Sequence, residues 1–377
     1  MDRAALERAY WGAVRACDPE VIVRARLARG FSAIPRRVFG IAVGKAALAM
    51  ARGAGPVERG VCVTHSLAGL VRHPLPPGWD AIVSSHPVPD QRALVAAEAV
   101  CEVVAAAGSR DRVLALISGG ASAMVERPIA GVSLEQFVAE VQAVLRSGAP
   151  IHAINAARIA RSQLKGGQLA ARSRAPVVTL VASDVCDDDL RIIGSGLTCG
   201  AVPRGGDYGE VIAPMSGFAR ALYATLREAQ PGLELMAAAL TGDVVACVDE
   251  VYGKRPVLGW GEPTIALPAN AGVGGRAQHA ALLLAVRIRG CGWTALVAGS
   301  DGMDGPPPLT RPAPAGAIVD SGAYDAIAAA GIDPLDALAR ADAGTALAAA
   351  GALFVTGPTG INAGDVMVVL ARRTSAG

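Results

Sequence analysis

Where apolar runs of this chain give way to glycine, the same residue types recur: a single cation, a pair of carboxylates, or small hydroxylated residues. Lys45 follows Val43-Gly44, and Ser118-Gly119-Gly120-Ala121-Ser122 follows a run of leucine, alanine and isoleucine. Asp184 and Asp189 lie in an acidic stretch after Pro176–Ala182, and Arg276 closes Gly272-Val273-Gly274-Gly275. Asp301 and Asp304 sit in Ser300-Asp-Gly-Met-Asp-Gly305, and Thr356 and Asn362 bound a last glycine-rich turn. Glycine turns at helix starts present backbone N–H groups to phosphate and carboxylate oxygens. Cations and carboxylates beside such turns are what phosphoryl transfer needs: charge on the moving group, a metal-holding oxygen and a base.

Each feature also has a purely structural reading. Lys45 suits a surface or capping lysine, the Gly119-Gly120 pair a tight turn, and the acidic run a solvated turn with helix caps. Gly272-Val-Gly-Gly-Arg-Ala277 also satisfies the dinucleotide fingerprint, with Asp301 24 residues further on, which would suit a nicotinamide-dependent reductase. Against that, Arg276 fills a variable position and Asp301 belongs to a doubled Asp-Gly turn. No histidine pair has metal spacing and there is no Gly-x-Ser-x-Gly, which excludes the common zinc and serine hydrolase motifs.

The elements that must hold these residues follow from hydrophobic periodicity. Residues 1–29 read as two amphipathic helices broken at Asp18-Pro19. Strands are expected at 37–43, 60–63, 81–84, 112–117 and 176–182, alternating with helices that end near 52 and 107 and others at 133–147 and 151–164. That alternation predicts an open, largely parallel sheet with its site at the carboxyl ends of the strands. A domain boundary is expected beyond the helix at 215–228, giving domains 1–233 and 234–377. Residues 235–254 carry no clear period. Helices are expected at 324–330 and 337–350, strands at 353–355 and 366–370, and a proline-rich loop at 306–314.

Composition narrows the class of partner. With 35 basic and 33 acidic residues there is no electrostatic pull toward nucleic acid or membrane surfaces. No apolar run reaches the roughly 20 residues of a membrane span, so a soluble cytoplasmic protein is expected. The seven cysteines are scattered without a Cys-x-x-Cys, as expected of reduced thiols.

Taken together in their order, the motifs resemble those of the glycerate 2-kinases, the class II glycerate kinase family with a MOFRL C-terminal domain and the older label hydroxypyruvate reductase. The matching segments are Gly44-Lys-Ala-Ala, His86-Pro-Val-Pro-Asp, Ser118-Gly-Gly-Ala-Ser, Leu164-Lys-Gly-Gly-Gln-Leu-Ala, Ser183-Asp-Val, Gly261-Glu-Pro-Thr, Gly274-Gly-Arg, Ser300-Asp-Gly-Met-Asp-Gly and Thr356-Gly-Pro-Thr-Gly-Ile-Asn. The resemblance implies a two-domain α/β protein: a Rossmann-like α/β/α N-terminal domain and a smaller α/β MOFRL domain, with the active site in the cleft between them. It implies ATP and Mg²⁺ as cofactors, a small hydroxy acid as substrate (D-glycerate, phosphorylated at its 2-hydroxyl, by default), and a monomer or homodimer. It assigns Lys45 and Arg276 to the phosphoryl charge and Asp184 to catalysis. Ser118, Gly119, Gly120, Ala121, Ser122, Asn155, Lys165, Gly274, Gly275, Thr356 and Asn362 are assigned to substrate or phosphate, and Asp189, Asp301 and Asp304 to metal. Departures from the family pattern fall in the flanks: Ala277 and His279 replace an amide and an acid, Ala160-Arg161 replaces His-Leu, and residues 306–315 form a longer loop. Such changes imply altered substrate choice, with a catalytically silent relative as the alternative.

Overall fold

The computed structural model describes residues 1–31, 34–67, 70, 73–147, 151–200, 205–305 and 313–371. The expected two-domain α/β architecture is present, with the chain dividing into a unit of residues 18–214 and a second unit of residues 1–17 and 215–377. This division by packing differs from the sequence-based boundary at 233/234. The helix Gly217–Ala229 and the first helix, Arg3–Ala16, both belong with the C-terminal residues, because they pack on each other. The proline-rich segment expected at 306–314 lies, as far as residue 312, outside the described residues.

In the unit of residues 18–214, six strands form one sheet: β1 (Val38–Val43), β2 (Arg59–Thr64), β3 (Trp79–Val83), β4 (Arg112–Ser118), β5 (Val177–Ala182) and β6 (Tyr208–Ala213). Their order is β3-β2-β1-β4-β5-β6, and every pairing is parallel. β1 and β4 are continuous apolar runs because both faces are covered. Ile41, Val43, Ala115 and Ile117 pack with Ala97, Val100 and Val104 of the helix Gln91–Ala106. On the opposite face Ala42, Leu114 and Leu116 pack with Met50 and Ala51 of the helix Ala47–Ala54 and with Val23. The result is a three-layer α/β/α fold. Successive strands run outward in one direction from β1 and in the other from β4, so the topological switch point lies between these two.

The other unit holds a mixed seven-stranded sheet. Its strands are β7 (Glu234–Leu235), β8 (Leu240–Asp243), β9 (Val257–Thr264), β10 (Trp293–Gly299), β11 (Gly316–Asp320), β12 (Leu353–Phe354) and β13 (Asp365–Ala371). β13 lies between β9 and β10 and is antiparallel to both, in contrast to the all-parallel sheet of residues 18–214. The register sets Gly299 opposite Asp365 and Asp365 opposite Gly261, so the ends of β9 and β10 and the start of β13 share one row. The helix Arg276–Arg287 covers the sheet with Ala280, Ala281, Leu284 and Ile288 in the core. Residues 235–254, unread in the sequence, form β7, β8 and the helix Val244–Gly253, capped by the Asp243 side chain on the N–H groups of Val245 and Ala246. The single helix expected at 337–350 is two, Pro334–Ala339 and Ala343–Ala349, separated at Ala341, whose φ is +50°. No helix among the described residues is long and apolar enough to cross a membrane.

The first helix is anchored by Tyr10. Its ring meets Phe218 and Phe354 edge-on at 5.1 and 4.9 Å, and its hydroxyl donates to the Gly299 carbonyl at 2.7 Å, just before the Asp301 turn. Tyr10→Ala is expected to lower unfolding free energy by about 3–5 kcal/mol, as for other buried aromatics. Tyr10→Phe should cost about 1 kcal/mol, the net worth of one buried hydrogen bond, since the Gly302 N–H at 3.3 Å stays on the Gly299 carbonyl. Urea titrations read both; a Phe variant as stable as the parent would show that the Gly299 hydrogen bond contributes nothing.

Candidate active site

The turns after β1 and β4 are stitched together across the switch point. The Lys45 N–H donates to the Gly119 carbonyl at 2.9 Å, and the Ala46 N–H to Ser118 Oγ at 3.0 Å. Gly44 has φ +126°, and a Cβ there would lie 2.3 Å from Ser118 Oγ, so only glycine lets the strands approach this closely. The Lys45 side chain is exposed above this turn. Among the described residues no carboxylate pairs with its ammonium.

Asp184, from the loop after β5, packs on the same turn: a Cβ on Gly119 would fall 2.1 Å from Asp184 Oδ2. From the other side comes His86, whose Cδ2 would be 2.9 Å from a Cβ on Gly120. The His65 and His86 rings are 6.3 Å apart. Partial burial, followed by the nearby Lys45 charge, holds both below the ordinary imidazole range, so both are neutral proton acceptors at pH 7. Deeper in, Ser122 Oγ lies 2.9 Å from Ser195 Oγ, which donates to Asn155 Oδ1 at 2.7 Å.

In the other unit the row at the ends of β9, β10 and β13 carries the charged groups. Arg276 donates from Nε to Asp365 Oδ2 at 2.6 Å and from Nη2 to Oδ1 at 3.3 Å, with Glu262 at 3.5 Å. Arg276, Asp301, Asn362, Gly274 and Gly275 line a cavity of about 280 Å³. Thr356 donates to the carbonyl of Gly357 and, at 3.4 Å, to that of Gly302, and Thr359 Oγ1 donates to the Ser300 carbonyl, tying the last glycine turn to the Asp301 turn. Asp301 accepts from the Met303 N–H at 3.0 Å and stays half-buried at the cavity wall.

This motif order and geometry have counterparts. Residues 5–217 match the family described as a domain of unknown function (DUF4147), and residues 256–365 match the MOFRL family. A D-glycerate 2-kinase of Thermotoga maritima is 32% identical over 385 residues, covering 89% of this chain and 90% of that protein. The chain belongs to the glycerate kinase family. A crystal structure of a glycerate kinase from Thermotoga maritima superposes with a TM-score of 0.85 at 29% identity, covering 97% of this chain and 98% of that one. A protein of Agrobacterium vitis named as a putative hydroxypyruvate reductase is 32% identical over 98% of this chain and 94% of its own length. Membership makes the chain a kinase by family.

Within this glycerate kinase family member, several residues expected to bind ligand are turned to other work. Asp304 is buried and accepts from the N–H groups of Ala277 at 2.9 Å and Gln278 at 2.8 Å, and from Gln278 Nε2 at 2.9 Å. It caps the helix that begins at Arg276, which is a correction of the metal assignment: both carboxylate oxygens are committed. Burial nevertheless pushes its pKa above the ordinary carboxylate range. The helix N-terminus of the dinucleotide fingerprint thus holds this carboxylate, at the place where that reading would put a pyrophosphate. Gly274 and Gly275 accordingly make room for Gly344 and Asp304; a Cβ on Gly275 would sit 2.3 Å from Asp304 Oδ1.

Lys165 is likewise corrected: it is wholly buried, its ammonium 3.2 Å from Glu126 and donating to the Val125 carbonyl at 3.0 Å, with no surface to offer a phosphate. Asp189 pairs with Arg191 at 2.6 Å. Ala121 is buried in the core, and Ser118 serves the stitch between turns. Among the described residues no three His, Cys, Asp or Glu side chains form a metal-holding group. His65 and His86 stand beside this turn without having been singled out in the sequence as site residues; the His86-Pro-Val-Pro-Asp motif was the available signal for the second.

Gly119→Ala is expected to displace Asp184 and cut turnover about 10- to 100-fold, as misplacement of a reacting group by ~1 Å does, while thermal unfolding stays close to the parent's. Unchanged turnover would remove Asp184 from the chemistry. Burial, only partly offset by Arg276, pushes the Asp365 pKa up to about 6. Protonation should therefore loosen Arg276 as pH falls through about 6 and give kcat/KM an acid limb there, absent in Asp365→Asn. The stability effect has the opposite sign. A raised carboxylate pKa favours the folded state at low pH, and that contribution is lost as pH rises through about 6.

Proposed function

We propose that this chain is an ATP-dependent kinase that phosphorylates a hydroxyl group of a small hydroxy acid, the acceptor being glycerate or a close relative of it. The observation that carries this reading is the arrangement at the switch point, where the exposed Lys45 stands beside the Ser118–Gly120 turn and Asp184 packs on Gly119. Open α/β sheets bind ligands at this place. Lys45 stabilises charge on the transferred phosphoryl group, backbone N–H groups of the turn hold its oxygens, and Asp184 or the neutral His86 takes the proton of the attacking hydroxyl. The same reading assigns Arg276, fixed by Asp365, to phosphate oxygens.

Mg²⁺ fits this donor set in a limited way. With no cage of protein ligands among the described residues, the ion would be held chiefly by nucleotide phosphates, with Asp184 or Asp301 as single carboxylate contacts. When bound it neutralises charge on those phosphates. The cysteines at 17, 62, 101, 186, 199, 247 and 291 are all free, as suits the reducing cytoplasm.

Purified protein with Mg-ATP and a panel of short hydroxy acids is expected to release ADP and yield one phosphorylated acid. Lys45→Ala should lower kcat about 10³-fold with little change in stability, since the side chain is exposed. No product across the panel, or full activity in Lys45→Ala, sinks the reading. Oxidation of a reduced nicotinamide with hydroxypyruvate would replace it with the reductase.

A further inference from the structure

Beside the Ser118–Ser122 turn the helix Ile151–Ala160 carries two side chains with donors to spare. Asn155 is 4% exposed, and its Nδ2 has no partner among the described residues, while its Oδ1 is taken by Ser195. Arg158, one turn further along the same face, has no carboxylate in ion-pair distance among the described residues. Burial pushes its pKa down, opposed only by the more distant Glu126, which is already engaged by Lys165 and Ser162. Arg158 lines a small cavity together with Ser122, the residue joined to Asn155 through Ser195. Phe137 and Val141 of the helix Leu134–Arg146 and the Pro87–Pro89 turn that follows His86 close its other sides.

These groups are short of an acceptor. The buried Asn155 Nδ2 is a donor without an acceptor among the described residues, which costs free energy, and the half-buried Arg158 guanidinium offers five N–H donors in a planar fork. The chemistry that satisfies them is a planar anion with two oxygens, which Arg takes bidentately. The cavity measures about 30 Å³, more than the ~10–15 Å³ that a single water needs, so it takes one small group, and Phe137, Val138 and Val141 give it apolar walls.

We infer that Arg158, with the Asn155 amide and Ser122, binds the carboxylate of the acceptor acid, and that Phe137 and Val141 restrict the acceptor to a short acid. This rests on the hydroxy-acid kinase reading and specifies which end of the acceptor the chain recognises. Through the Gly120–Ser122 turn, the acid's carboxylate is held next to the switch point, where its hydroxyl meets the phosphoryl group. Asn155 thereby keeps its expected substrate role, and Arg158 joins it.

The test compares D-glycerate with its uncharged primary amide as acceptors for the full chain and for Arg158→Gln. The ratio of the two kcat/KM values is independent of how much of a variant is folded, since both substrates meet the same sample. In the parent the acid should be strongly preferred. In Arg158→Gln that preference should fall about 100-fold, the scale of a truncated buried charge contact, while KM for Mg-ATP moves less than about twofold. Arg158→Lys should retain part of the preference, because it keeps the charge and loses the fork. A preference unchanged within about twofold in Arg158→Gln overturns the subsite and leaves the kinase reading standing. A parent enzyme that phosphorylates no hydroxy acid overturns both.

Discussion

A turn of glycines at the start of a helix leaves backbone N–H groups that something must accept from, and the two units of this chain answer that requirement differently. In the C-terminal unit the acceptor is the protein's own Asp304, buried against Ala277 and Gln278. In the unit of residues 18–214 the turn after β4 has the Lys45 N–H on its Gly119 carbonyl and Asp184 packed on Gly119. The first arrangement fixes a helix and hence the direction of Arg276. The second joins the turns after β1 and β4 across the switch point and sets a carboxylate against them. Resemblance between the two glycine motifs in sequence conceals this difference in use.

How much of this was legible follows from how local each signal is. Strands β1, β4 and β5 are buried on both faces and read directly as apolar runs. The helix at 244–253 was missed because acidic residues on its outer side obscured the period, although Asp243 before Val244 is an ordinary cap signal. The break at Ala341 depends on Asp342, whose carboxylate accepts from the Val273 N–H and from Thr345, a tertiary contact with no local trace. Asp304 and Lys165 were misread for the same reason. Carboxylates and ammonium groups have the right chemistry for metal and phosphate, and only partners 26 to 40 residues away show that they are spent on the fold.

The departures from the family pattern acquire physical content in the same way. Ala277 contributes its backbone N–H to Asp304, and its small side chain is buried in the core. His279 is buried, with Nδ1 lacking a partner among the described residues, and burial holds it below the ordinary imidazole range. A neutral ring there avoids bringing a third acid into a unit where Asp304 and Asp365 are already burdened by desolvation.

The discontinuous unit imposes an order on synthesis. Once residue 214 has left the ribosome, every contact within residues 18–214 can form, since that unit contains no later residue. The first helix cannot be completed in the same sense: its Tyr10 waits for Phe218, Gly299 and Phe354. A nascent chain therefore carries an amphipathic helix with its apolar face uncovered while most of the protein is made, and the last strand to emerge, β13, enters between two neighbours already in place. Protection of that leading helix, by transient self-association or by a chaperone, is a demand that the topology places on the cell and not on the enzyme's chemistry.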